Sequence, residues 1–172
     1  MKDSLSCRSS TDMKLNTLVF LIDRNAGKIL LGMKKRGFGA GKLNGYGGKL
    51  KEGESVTVAA VREVKEEAEV DIAEKDLVKA AEIFFYFNEH PDWNIHCFVF
   101  LIYRRKGEPK ETGEMAPEWF DLDAIPYEKT WSDDIYWLPK ALAGDTLTAE
   151  FHFTGEGESF SEYAIRGVKK LQ

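Results

Sequence analysis

Three glutamates, Glu63, Glu66 and Glu67, fall three and four residues apart, a spacing that gathers side chains onto one face of an α-helix. Like charges placed so close repel, and a cation or a basic side chain must answer them. A hard divalent ion, which prefers oxygen ligands, suits such a set. Val58, Val61, Val64 and Ala68 also recur at spacings of three and four, which predicts an amphipathic helix over 55–68. At about 100° per residue, the glutamates then project from the side opposite this apolar stripe. Ser55 stands where an N-cap belongs, and Glu52 and Glu54 lie near the positive end of the helix dipole. Arg62, four residues before Glu66, is placed to orient it. The plain alternative is a solvated acidic face on an ordinary surface helix.

Two further groups of residues carry chemistry. Six of the twelve residues from Gly37 to Gly48 are glycine. Such backbone approaches a ligand closely and can turn its N–H groups toward phosphate oxygens. Lys34, Lys35 and Arg36 lead into it, a basic cluster in a chain of net charge −5; a flexible loop with solvated lysines is the alternative. Downstream, Asp133 and Asp134 follow Trp131. An indole offers the largest flat face for stacking a purine. Two carboxyls buried together do not both ionise readily, so one can donate while the other accepts. Asn44 can do both. Against this, Asp133 can simply cap the helix that follows, with Trp131 in the core. His90, His96 and His152 show no paired spacing, and His96 reads as structural.

Gly48, Glu54, Arg62, Glu63, Val64, Glu66, Glu67 and Val70 together resemble the Nudix box: a glycine, five residues, a glutamate, seven residues, then Arg-Glu-aliphatic-x-Glu-Glu-x-Gly-aliphatic. One position departs, since Glu69 stands where the family has glycine. That glycine lets the chain leave the helix with positive φ. A glutamate there costs roughly 1 kcal/mol or changes the exit turn. The departure bears on the helix end and not on the carboxylates.

The resemblance implies a metal site formed by Glu63, Glu66, Glu67 and the Gly47 carbonyl, with Glu114 as a further carboxylate from a later loop. Mg2+ is the implied cofactor, with Mn2+ as its substitute. Glu63, Glu67 and Glu114 are the implied catalytic residues, and either Glu67 or Glu114 serves as base. Residues 32–41, 44–49 and 131–137 look like the Nudix subfamily that hydrolyses oxidised purine nucleoside triphosphates such as 8-oxo-dGTP, with 2-oxo-dATP a second substrate. That similarity implies that Thr17, Lys34, Asn44, Tyr46, Gly47, Gly48, Lys49, Trp131, Asp133 and Asp134 line the nucleotide site, with Phe38 and Phe85 as packing walls. Leu43 and Trp93 depart from the subfamily, where tryptophan and methionine are expected, and they bear on base selectivity. A broad-specificity Nudix hydrolase of ordinary (d)NTPs or other nucleoside diphosphate derivatives, and a non-catalytic nucleotide-sensing module, are the competing readings.

Length and composition bound the rest. At 172 residues, 43% hydrophobic and 31% charged, the chain reads as one globular domain over 14–172, after a flexible tail over 1–13. An acidic balance, with pI about 5.3, argues against nucleic acid as partner and leaves a small-molecule nucleotide. Cys7 and Cys97 lack metal-like spacing, which fits a reducing cytoplasm. The apolar run from Cys97 to Tyr103 is too short to span a membrane. A monomer is expected. Strands are expected over 15–23, 28–33, 77–87, 95–103 and 118–122, and a closing hairpin over 147–153 and 160–168. A second helix is expected over 131–143. The tally is α/β with a mixed sheet, and the resemblance implies the α/β/α sandwich.

Overall fold

A computed structural model describes residues 13–168; the expected tail up to residue 12, with Cys7, and the last four residues lie outside them. The strands are β1 (Lys14–Asp23), β2 (Lys28–Lys34), β4 (Val78–Phe87), β5 (Ile95–Ile102), β6 (Met115–Asp121), β7 (Leu147–Thr154) and β8 (Ser159–Gly167), with a two-residue β3 (Leu43–Asn44); β1, β4, β5 and β7 are the ones rich in β-branched and aromatic residues. The two helices are α1 (Val56–Ala68) and α2 (Asp134–Leu142). All eight strands join one sheet in the order β3-β2-β1-β5-β4-β7-β8, with β6 on the outer edge of β2. β1 with β5 and β4 with β7 are parallel; the other pairs are antiparallel.

Side chains alternate between the two faces of a strand, and each face carries its own core. Phe20, Ile22, Ile29 and Leu31 pack with Trp137, Leu138 and Ala141 of α2. Val19, Leu21 and Leu30 pack with Ala60, Val64 and Ala68 of α1. One helix on each face makes the α/β/α sandwich.

The sheet splits where the site lies. Near its start β2 pairs with β1 at Lys28–Leu30, and beyond Leu31 the same edge pairs with β3. Residues 45–50 run into the gap, held by Val19 N–H to the Tyr46 carbonyl (2.7 Å) and Thr17 N–H to the Gly48 carbonyl (2.9 Å). A Cβ on Gly47 would lie 1.9 Å from the Thr17 carbonyl oxygen, so only glycine allows this crossing.

Helix α1 occupies the expected span, and the Ser55 hydroxyl accepts from the Val58 N–H at 3.2 Å. The face it buries differs from the expected one. Val58 is 42% exposed, and the buried residues are Ala59, Ala60, Val64, Glu67 and Ala68. The buried stripe steps through positions 60, 64, 67 and 68, and one of its members is a glutamate. Apolar periodicity discounts a charged residue, because unpaired carboxylates are almost never buried. Glu67 therefore faces the sheet and is not on the opposite side of the helix.

At the helix end, Glu69 adopts the left-handed conformation (φ 58°) and its N–H reaches the Lys65 carbonyl at 3.1 Å. It is the only non-glycine residue with positive φ among those described. The exit turn is thus kept despite the missing glycine, and the backbone carries the strain. Glu69→Gly is expected to raise stability by about 1 kcal/mol, measured by urea unfolding. An unchanged midpoint would show that the Lys110–Glu69 ion pair (3.5 Å) fully offsets that strain.

Two boundaries move. Strand β6 begins at Met115, three residues before the expected Glu118, and carries Pro117 opposite Gly32. As an edge strand with β2 as its only neighbour, β6 tolerates a residue without an N–H. Helix α2 begins at Asp134, so Trp131 lies before it, in the turn closed by the Asp134 N–H to the Trp131 carbonyl (3.1 Å), and lines the cavity.

Candidate active site

The split in the sheet opens into a cavity of about 180 Å3. Thr17, Lys34, Phe38, Asn44, Gly47, Gly48, Glu67, Phe85, Trp131, Asp133 and Asp134 line it. Sequence reasoning missed Asn16, Leu18, Phe87, Cys97, Met115 and Phe153, which line it too. Most are apolar strand residues, indistinguishable by type from core neighbours, and only their shared face marks them.

One end is aromatic. Phe38 lies against Trp131 with ring centroids 5.1 Å apart, and it also meets Phe87 and Trp93. Gly37, Gly39 and Gly41 all have positive φ, and a Cβ on Gly39 would come within 2.9 Å of the indole. The glycines therefore press the loop onto Trp131. Their N–H neighbours are used inside the loop: Ala40 bonds Gly37, Gly41 bonds Lys34 and Lys42 bonds Gly39. The expectation that this stretch aims amides at phosphate is not met by those groups. The loop presents Phe38 instead. Trp93, a departure from the subfamily, thickens this aromatic wall, while Leu43 is buried in the core.

The carboxyl pair lies beside Trp131. Asp133 and Asp134 are both buried. The Trp137 indole N–H donates to Asp133 Oδ2 at 2.9 Å, and no side-chain bond caps the helix. The capping role for Asp133 is thereby set aside. Burial pushes both carboxyls up, and the charge of Asp133 pushes Asp134 further. Both carboxyls therefore keep their protons to higher pH than an exposed aspartate does. Asn44 Oδ1 accepts from the Gly45 N–H at 2.8 Å, which leaves its amide nitrogen to donate.

At the other end stands Glu67, only 4% exposed. Its Oε2 accepts from the Gly47 N–H at 3.0 Å. Burial pushes its carboxyl up to about 7; the Gly47 bond and Lys34 oppose this, and Glu63 and Glu114 add to it. Glu63 is raised as well, because burial outweighs the pull of Arg62. A Cβ on Gly48 would lie 2.6 Å from Glu63 Oε1, so glycine makes room for that carboxylate. Glu63 does not line the cavity, and neither do Glu66 and Glu114, which are more exposed.

Arg62 organises this corner. Its guanidinium grips Glu54 through Nε at 2.6 Å and Nη2 at 2.9 Å, and it reaches Glu63 at 2.7 Å, Glu66 at 3.1 Å and the Lys49 carbonyl at 3.1 Å. The fork geometry of arginine permits this; a lysine does not. The Arg62 bonds hold the Glu54 carboxyl down at about 2. A lowered carboxyl contributes stability above its unfolded value that is lost as pH falls through the folded one. Arg62→Ala is therefore expected to melt earlier than the wild type at pH 7, with the gap closing between pH 4.5 and 2. A gap that stays constant over this range in thermal melts would sink the assignment.

Among the described residues, no group of three or more histidine, cysteine, aspartate or glutamate side chains is gathered tightly enough to hold a metal ion. Instead, Arg62 bonds both Glu63 and Glu66, and Arg36 bonds Glu114 at 3.1 Å. The donor chemistry nonetheless fits a hard divalent ion. Carboxylates crowd one corner, raise one another's proton affinity, and stand beside the Gly47 backbone. Tyr46 and Lys49 do not line the cavity. Tyr46 is fully buried on the α1 side, and Lys49 is exposed, contributing only its carbonyl to Arg62.

A glutamate-bearing helix behind a glycine crossing, in an α/β/α sandwich with a split mixed sheet, defines a class. A NUDIX domain model matches residues 13–141, and the chain belongs to that family. It is 44% identical over 159 residues to the oxidized purine nucleoside triphosphate hydrolase of Danio rerio, covering 92% of this chain and 97% of that protein. The protein of the same name from Mus musculus is 39% identical over 156 residues, with 90% and 96% covered. The fold is shared with the mMutator MutT protein of Bacillus halodurans, at TM-score 0.74 and 23% identity over 89% of this chain and 97% of that one. No helix among the described residues is long and apolar enough to cross a membrane.

Proposed function

We propose that this chain is a metal-dependent hydrolase of oxidised purine nucleoside triphosphates, 8-oxo-dGTP and 2-oxo-dATP among them, that clears damaged nucleotides from the precursor pool. One observation carries the reading: a single cavity has Trp131 with the buried Asp133–Asp134 pair at one end and Glu67 with Lys34 at the other. The two ends match the two ends of a nucleotide. Trp131 and Phe38 take the faces of the base, while the aspartates and Asn44 meet its edge. Lys34 meets the phosphates. The high sequence identity to the two named hydrolases supports the substrate class.

Glu63, Glu66, Glu67, Glu114 and the Gly47 carbonyl would hold the divalent cation, Mg2+ or Mn2+. When bound, it neutralises phosphate oxygens and stabilises the charge that develops in the transition state. A water oxygen forms a bond to phosphorus and the α–β phosphoanhydride bond breaks. The bridging oxygen leaves, giving the nucleoside monophosphate and pyrophosphate. The proton of the water passes to a carboxylate of this corner, Glu67 or Glu114. A monomer acting on a small molecule suffices, since every group named comes from one chain.

The test is a panel of oxidised and ordinary dNTPs with Mg2+, with the released anion identified. Preference for 8-oxo-dGTP over dGTP in kcat/KM, with pyrophosphate as product, is expected. Equal values would leave a hydrolase of broad specificity, and tight binding without turnover would leave a nucleotide sensor. Preference for nucleoside diphosphate sugars would sink the substrate assignment.

A further inference from the structure

We infer that Asn16 is a specificity-determining residue whose side-chain amide reads an N–H on the edge of the bound base; this rests on the nucleotide reading of the cavity. Asn16 lines the cavity from β1, and its Oδ1 is buried with no hydrogen-bond partner. Its neighbours on the same face are apolar. In the parallel pairing of β1 with β5, Asn16 stands beside Cys97, and registered residues in a parallel pair share a face. Leu18 and Ile95 complete the surroundings. An isosteric leucine there would be the stabilising choice, because a buried acceptor without a partner loses its hydration for nothing. A ligand that supplies the missing donor resolves this.

The position fits the base and not the phosphates. Cys97 beside Asn16 is close enough to the aspartate pair for both charges, after burial, to push its thiol upward. Asn16 therefore shares the α2 side of the sheet with Cys97 and the Trp131–Asp134 end, whereas Glu67 belongs to α1 on the other side. The polar groups there are complementary. Asn44 has its oxygen occupied by the Gly45 N–H and offers a donor. Asp133 has one oxygen occupied by Trp137. Asn16 adds a neutral acceptor whose character does not change with pH.

The experiment compares the wild type with Asn16→Leu, which keeps the branched shape and removes the amide, and Asn16→Ser, which is smaller and keeps a polar group. The readouts are kcat/KM for 8-oxo-dGTP, 2-oxo-dATP, dGTP and dATP, and the melting temperature without ligand. In Asn16→Leu at least one base-to-base ratio shifts by about tenfold, while the melting temperature stays level or rises; Asn16→Ser shifts the same ratio less. If all four substrates change by one common factor, or none changes, Asn16 does not read the base. A lowered melting temperature with unchanged ratios overturns the inference as well, in favour of a structural role. Should the wild type show no preference for oxidised purines while the ratios still shift, the oxidised-substrate reading fails and Asn16 stands as a base reader.

Discussion

Glu67→Gln is expected to lower kcat by about 10²–10⁴-fold and, in the same preparation, to stabilise the metal-free protein at neutral pH. Both effects follow from one carboxylate held in a place that suits its task and not the fold. Glu67 is almost wholly buried and turned toward the sheet. It has the Gly47 N–H as its hydrogen-bond partner, and its carboxyl is raised to about 7. A carboxyl raised in the folded state binds its proton more tightly than it does unfolded. Its contribution to stability is therefore complete below about pH 4.5 and is lost as pH rises through 7. From the shift, the loss is on the order of 3 kcal/mol by pH 8. Glutamine keeps the shape and an acceptor for Gly47 but never ionises, so its stability should be flat over this range. The check is urea unfolding in chelator from pH 5 to 8 for both proteins. Parallel pH profiles would show that Glu67 is not strained, and full turnover in the variant would remove it from the catalytic corner.

This strain also explains which parts of the molecule could be read from the chain. The strands and helix spans were legible because β-branched runs, glycine turns and a serine cap act locally. The helix face was not, because its buried stripe contains Glu67, and a charge in a core position is the feature that periodicity treats as noise. The same holds for Asn16, a polar residue on an apolar strand face. Spacing placed Glu63, Glu66 and Glu67 on one helix; it did not show that Arg62 would bridge Glu63 and Glu66 or that Arg36 would bond Glu114. That depends on the crossing of residues 45–50 through the sheet and on the loop that carries Glu114, both tertiary features. Tyr46 illustrates the limit of motif spacing. It stands between two glycines that approach the site, yet strand alternation turns its ring into the opposite core.

Asp134→Asn is expected to act on recognition as Glu67→Gln acts on chemistry. Asp133 and Asp134 are adjacent, buried and raised by that burial, and Asp133 raises Asp134 again. Two adjacent carboxyls raised in this way titrate as a pair, and the account under test is that they share one proton that either can carry. With the proton on one, the edge facing the base offers a donor and an acceptor; with it on the other, their order reverses. 8-Oxoguanine and 2-oxoadenine present different edges, and on the proposed function a shared proton would let one cavity meet both. An asparagine fixes the order. One of the two substrates should then lose about 10–100-fold in kcat/KM, the scale of a hydrogen bond to a charged group, while the other changes little. Asp133→Asn should bias the pair the other way, and its amide oxygen can still accept from Trp137. Stability gives an independent reading. The raised carboxyls lose their contribution as pH rises through their folded values, so Asp134→Asn should unfold later than the wild type at pH 8 and nearly together with it at pH 4. If Asp134→Asn leaves both the substrate ratio and the pH dependence of unfolding as they are in the wild type, the two carboxyls titrate independently and the shared-proton account falls.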